Sequence, residues 1–234
     1  MARKTYYKYA HIYLTLGLVI VLLGFSMTYF TRLKAFSLPY HLHGISATLW
    51  MVLLIFQPYL FQKGKFKAHR YLGWSSLLLI PTIIICGIIM MRLMILGQAN
   101  YPPNLVYKLA FIDACTLFGF AVLYVLAIYF RKKLKLHSKF MVATIFGPLI
   151  PALTRMFLFT FEVTSDFVQS LTYSYVAIEL VILIMIWRER NEKETYLTYV
   201  PFLIFIIVQH SLMYFSDEWN WWKVLMDSFA GYSQ

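Results

Sequence analysis

Ionisable residues inside long apolar runs are the first feature of this sequence that bears on chemistry. Asp113, Arg155, Glu179 and His210 all interrupt such runs, Arg92 lies nearer the end of one, and His41 and His43 open another. A charge in hydrocarbon is costly, so each such residue marks either a site or an internal partner. At about 1.5 Å of rise per residue, Asp113 and Glu179 lie roughly 12 Å below one membrane face. On the same measure His210 and Arg155 lie roughly 9 Å below it, with Arg92 shallower.

Three chemistries follow from these residue types. His43 and His210, at similar depth beside the carboxylates of Asp113 and Glu179, form a donor set suited to a transition metal or a haem. Arg155 with Asp113 or Glu179 equally reads as a neutralising ion pair that locks helix packing, in a charge network that also includes Arg92. The same Asp113, Arg155 and Glu179 could instead make a proton-coupled transport site. They would stand beside a helix that Pro148 and Pro151 interrupt, and broken helices at membrane depth tend to line cavities. A lone membrane histidine, by contrast, is often a plain hydrogen-bonding contact between helices.

A second histidine pair, His69 and His137, starts two helices on the opposite side and is a candidate axial pair for haem. Interfacial anchoring beside Arg70 and Lys139 has equal weight, and His11 reads as interfacial. Cys86 and Cys115 fall mid-helix and read as small packing residues, with no CxxC motif or disulfide framework.

The elements that must position these groups are membrane helices. The chain has 234 residues, 61% apolar and only 13% charged, against about 25% charged in soluble domains. Apolar runs predict seven spans at 10–30, 42–62, 70–96, 105–130, 138–161, 170–188 and 197–216. These make one all-α transmembrane domain over 1–216, with a four-helix core over 42–161. The tail, 217–234, carries Trp222, Leu225, Met226 and Phe229 at helical spacing and predicts an amphipathic helix on the outer surface.

Arg3, Lys4 and Lys8 precede the first run. Lys63, Lys65, Lys67 and Arg70 follow the second, Arg131, Lys132, Lys133, Lys135 and Lys139 the fourth, and Arg188, Arg190 and Lys193 the sixth. These are alternate connections, so the positive-inside rule places the N-terminus in the cytoplasm and the C-terminus outside, in a bacterial inner (plasma) membrane. The net charge of +11 therefore meets lipid headgroups, with the bilayer as partner and no nucleic acid. The first run is too long for a signal-peptide core and lacks a small-x-small cleavage site. No HExxH or GxSxG motif points to a hydrolase, and the seventh run has no lysine for a retinal Schiff base. Whether the chain is an enzyme stays open.

The sequence also echoes itself. Lys67-Ala68-His69-Arg70-Tyr71-Leu72-Gly73 and Lys135-Leu136-His137-Ser138-Lys139-Phe140-Met141 each place a histidine after a basic loop. These helix starts resemble the His-x-x-Leu-Gly starts of small transmembrane b-type cytochromes of the ascorbate-dependent kind. They also resemble predicted bacterial membrane proteins linked to terminal-oxidase assembly. The resemblance spans roughly 100 residues around helices 2–5 and implies haem b on His69 and His137, with electron transfer. That pattern wants a histidine on each core helix, whereas the fourth helix here has Asp113 instead. One haem, or a non-haem metal, fits the inventory better than a two-haem wire. The resulting expectation is a metal- or haem-binding, redox membrane protein, with a proton-coupled transporter and an assembly subunit bound to other membrane proteins as alternatives.

Overall fold

The computed structural model describes residues 9–231, so the basic residues Arg3, Lys4 and Lys8 and the end of the tail lie outside the described residues. Those described form helices joined by short turns and loops, with no strand among them. The helices are α1 (Ala10–Ser26), α2 (Leu38–Gln62), α3 (Phe66–Trp74), α4 (Ser76–Leu96), α5 (Leu105–Tyr129), α6 (Leu134–Ala143), α7 (Phe146–Arg155), α8 (Phe167–Arg188), α9 (Lys193–Met213) and α10 (Asn220–Ala230). Six stretches are long and apolar enough to cross a membrane: α2, α3 with α4 (Phe66–Leu96), α5, α6 with α7 and the turn after it (Leu134–Thr160), α8 and α9. The first helix is apolar but only 17 residues long. The chain thus has the helices of a multi-pass membrane protein.

Local sequence explains the breaks. Pro148 has no N–H to give to the carbonyl of Thr144, four residues back, and its ring crowds that carbonyl. The helix accordingly stops at Ala143 and restarts at Phe146, just upstream of the Gly-Pro-x-x-Pro run itself. Pro39 sits in the first turn of α2, where no donor is lost. Asn104 takes a left-handed conformation (φ 62°), tolerated by asparagine, and turns the chain into α5. The Asp166 carboxylate accepts from the Gln169 N–H at 2.8 Å and caps α8.

The helices close into a ring. Helix α1 packs between α2 and α7, α2 packs on α4, and α4 on α5; α5 meets α9, α9 meets α8, and α8 returns to α7. The interrupted fifth span crosses this ring, because α6 packs on α5 and α9 while α7 packs on α8 and α1. A close approach occurs where α1 meets α7: a Cβ on Gly24 would run into the backbone of Ala152. Small residues that let helix backbones touch are a common device in membrane packing. The tail helix α10 docks on α4 and α5, burying Trp222 and Met226 of the expected stripe and leaving Leu225 and Phe229 exposed.

The sequence echo has a structural counterpart. Seven positions after His69 and after His137 stand the hydroxyls of Ser76 and Thr144, at the two helix breaks. The Ser76 hydroxyl bonds the Tyr124 hydroxyl at 2.8 Å, and Trp50 donates its indole N–H to Thr144 Oγ1 at 3.1 Å. Each break is therefore pinned by an aromatic polar group of the other helix pair.

Candidate functional site

The connections α2–α3, α5–α6 and α8–α9 share one end of the ring, called here the basic end. Asp113 projects from α5 in the opposite half, within electrostatic reach of Arg155 on α7, Tyr40 on α2 and Tyr175 on α8. Only an interior direction serves partners on three different helices. Asp113 is exposed, and with partners on three helices it reads as facing the space between α2, α5, α7 and α8, called here the hollow. Tyr40, at the start of α2, and Tyr101, in the loop before α5, stand above it.

Arg155 forms the other wall. Its guanidinium lies 4.5 Å from the centre of the Phe25 ring and donates from Nη1 to the Pro151 carbonyl at 2.9 Å. The Gly24–Ala152 approach sets this stack, since it brings the neighbouring Phe25 against α7. Directly after Arg155 the helix widens into a π turn, Met156–Thr160, a feature often found at functional sites. Arg155 and Asp113 interact electrostatically, but neither forms an ion pair within 4.0 Å among the described residues.

Glu179 has a different partner. Its Oε1 accepts from His210 Nδ1 at 2.8 Å, and Tyr175 stacks on the His210 ring, with centres 4.8 Å apart and planes at 11°. A carboxylate only accepts, so Nδ1 carries the proton and Nε2 keeps its lone pair. His210 Nε2 is buried without a hydrogen-bond partner, while the Tyr175 hydroxyl and the Gln209 side chain lie within hydrogen-bonding reach of each other. Buried polar atoms are rarely left unmatched, so this cluster has unused bonding capacity. Gln209 donates to the Ile112 carbonyl at 3.0 Å and to Thr116 Oγ1 at 3.1 Å, one turn below Asp113. Below that lies an apolar cavity of about 20 Å³, walled by Phe120, Leu123, Phe202 and Phe205. This aromatic packing separates the hollow from the basic end.

The remaining expected site residues lie elsewhere. His43 Nδ1 bonds the Ile83 carbonyl at 3.0 Å, and His41 Nδ1 bonds the Tyr29 hydroxyl at 2.6 Å. The helix begins four residues earlier than expected, so both sit inside α2 instead of at its mouth. Arg92 donates from Nε to the Ala230 carbonyl at 3.2 Å, at the end of α10. Among the described residues no three His, Cys, Asp or Glu side chains gather as a metal site, so His43, His210, Asp113 and Glu179 do not assemble into one donor set. At the basic end, His69 Nδ1 bonds the Gln57 carbonyl at 3.4 Å and His137 Nδ1 bonds the Ala127 carbonyl at 2.8 Å. The two imidazoles lie within electrostatic reach of each other.

Sequence reasoning missed Tyr40, Tyr101, Tyr175, Gln209 and Phe25. With 18 tyrosines and 20 phenylalanines in the chain, an aromatic residue carries no signal of its own, and an interior glutamine is uncharged. It also missed Lys108, which donates to the Met213 and Tyr214 carbonyls and pairs with Asp217 at 3.0 Å, capping α9. No family model, curated protein or solved structure matches this chain.

Proposed function

We propose that this chain is a seven-span inner-membrane protein, N-terminus in the cytoplasm, that takes a small charged solute into the hollow and couples its passage to protons. The observation that carries this reading is Asp113, an exposed acidic side chain at membrane depth that forms no ion pair among the described residues. Intramembrane acids without a partner mark solute and proton pathways. The hollow supplies the solute contacts, and the Glu179–His210 pair supplies the proton site. His210 Nε2 accepts a proton, and Glu179 then compensates the imidazolium on its other nitrogen. Tyr175, stacked on His210 and within reach of Asp113, joins the two. The packing around Phe120 and Phe202 closes the basic end, so the arrangement corresponds to one closed side of an alternating-access cycle.

The test is a proteoliposome assay with a pH-sensitive dye in the lumen, run against amino acids, amines and carboxylates. Solute-driven proton movement is expected, and it should fall by at least about tenfold in Asp113→Asn and in Glu179→Gln. Movement that survives both substitutions sinks the reading.

A second reading has its own observation. A backbone carbonyl only accepts, so His69 and His137 each carry a proton on Nδ1 and present a bare Nε2. Metal-ligating histidines are oriented in this way. In that reading they would hold one haem b or a transition metal near the cytoplasmic face, where it would supply electron transfer. An absorbance spectrum with elemental analysis decides: a Soret band lost in His137→Ala supports it, and a purified protein with neither band nor stoichiometric metal ends it.

A further inference from the structure

We propose that the seam between α4 and α5 holds an anionic phospholipid at the basic end, with an acyl chain in an apolar groove and its phosphate among Arg131, Lys132 and Lys133. This goes beyond the solute reading and does not depend on it. The seam is open in one half only. In the far half α10 covers it: Trp222 donates to the Tyr107 carbonyl at 2.8 Å, and Arg92 to the Ala230 carbonyl at 3.2 Å. At mid-seam the helices touch, since a Cβ on Gly87 would lie 2.9 Å from Leu117 Cδ2. Toward the basic end they part into an open groove of about 220 Å³, between Leu77, Pro81 and Ile84 of α4 and Ala121, Tyr124 and Val125 of α5. Ala121 presents only a methyl group there. The Tyr124 hydroxyl is engaged by Ser76 at 2.8 Å, so the groove offers apolar walls.

The surroundings of the groove identify its occupant. Leu77 and Val125 at its rim are exposed on spans apolar enough to cross a membrane, so they face hydrocarbon. An unfilled apolar slot forfeits dispersion contacts that a flexible acyl chain restores. One turn nearer the basic end, each wall carries an exposed aromatic residue: Trp74 before Leu77 and Tyr129 after Val125. Such rings collect at headgroup level. At about 1.5 Å of rise per residue, Arg131 lies roughly 9 Å beyond Val125. Lys132 and Lys133 follow it, and all three are exposed. Arg131 gives a bond to the Ile128 carbonyl at 3.4 Å, and Lys133 lies 5.5 Å from the centre of the Phe130 ring. Groove, aromatic collar and basic cluster thus run in the order in which a phospholipid carries its chain, its glycerol esters and its phosphate. Basic clusters beside membrane spans attract anionic headgroups in this way. A second copy of the chain seated on the groove would bring the same three bases to the same depth, and like charges would oppose it.

The experiment uses the purified full-length chain, delipidated in detergent and equilibrated with an equimolar mixture of dioleoyl phosphatidylglycerol and dioleoyl phosphatidylcholine, which share their chains. Native mass spectrometry reads the lipid retained. Phosphatidylglycerol is expected to be retained over phosphatidylcholine by about fivefold or more, the effect of a single basic contact near the membrane surface. Val125→Trp fills the groove from its exposed rim and should lose the bound lipid. Arg131→Gln, Lys132→Gln and Lys133→Gln together should lose the preference and keep the binding. Excess inorganic phosphate should leave the lipid in place; displacement would make the cluster a site for free phosphate and overturn the inference. Equal retention of the two lipids, no retention of either, or native retention in Val125→Trp also overturns it, and a dimer that forms in place of bound lipid gives the groove to a second copy instead. The comparison of the two lipids is made on the unmodified protein, so a poorly folded variant cannot obscure it.

Discussion

Lys139 and Arg155 belong to the same interrupted span, and their surroundings differ completely. Lys139, on α6, is fully buried; it pairs with Glu189 and Glu192, donates to Thr195 Oγ1 at 3.0 Å and lies over the Tyr199 ring. Arg155, on α7, is half-buried, touches an aromatic ring and one carbonyl, and interacts electrostatically with Asp113 without an ion pair among the described residues. A closed charge of the first kind ties α6 to the start of α9 and contributes to the fold. A charge of the second kind contributes little to the fold and stays available to a ligand. If that contrast is right, the two ends of one span should respond in opposite ways to neutralisation.

The largest effect is expected in the cage. Changing Glu189→Gln and Glu192→Gln together takes two carboxylate partners from the buried Lys139. Stranded buried charges cost about 3–5 kcal/mol, read as a large fall in thermal stability in detergent. Lys139→Met should cost much less, because the two carboxylates are each about a quarter exposed and can hydrate. If the two variants lose equal stability, the cage is an ordinary surface pair and the comparison fails.

Next comes the wall that positions Arg155. Gly24→Leu drives a side chain into the Ala152 backbone, where nothing can rotate away. Overpacking of this kind costs about 1–3 kcal/mol. Because the displacement also moves Phe25, the variant should lose ligand response beyond what its stability loss explains. Stability and binding that are both native-like would mean that α1 does not shape the hollow. A smaller effect is expected for Glu179→Gln. The amide oxygen can still accept from His210 Nδ1, so about 1 kcal/mol is lost with the charge. The larger change falls on the proton-coupling readout.

The same contrast shows what could be read from the sequence. Helix class and six of the seven expected spans were legible because twenty-residue apolar runs have few other uses. Asp113, Arg155, Glu179 and His210 were legible because ionisable groups at membrane depth stand out against apolar neighbours. Their partners were not. Hydropathy gives depth and no azimuth, so Arg155 was paired with Asp113 or Glu179, and the Glu179–His210 pair was not foreseen. Lys139 read as one of a collar of cytoplasmic bases because it sits within four residues of Lys135 and His137. Its burial depends on α6 crossing to α9, which the break at Thr144 and Ile145 makes possible.

The smallest stability effect belongs to Asp113→Asn, and it is the sharpest test of the contrast. The substitution keeps size and shape, and the carboxylate has no ion-pair partner to lose among the described residues. Without ligand the variant should stay within about 0.5 kcal/mol of the native protein, the range of substitutions that break no specific feature. With ligand the two should part. A solute at a hundred times its Kd stabilises the native state by about 2.7 kcal/mol, and the variant should forfeit most of that gain. A ligand-free loss as large as the one in the Glu189 and Glu192 double variant would make Asp113 a structural charge like Lys139, and the two ends of the fifth span would then be alike.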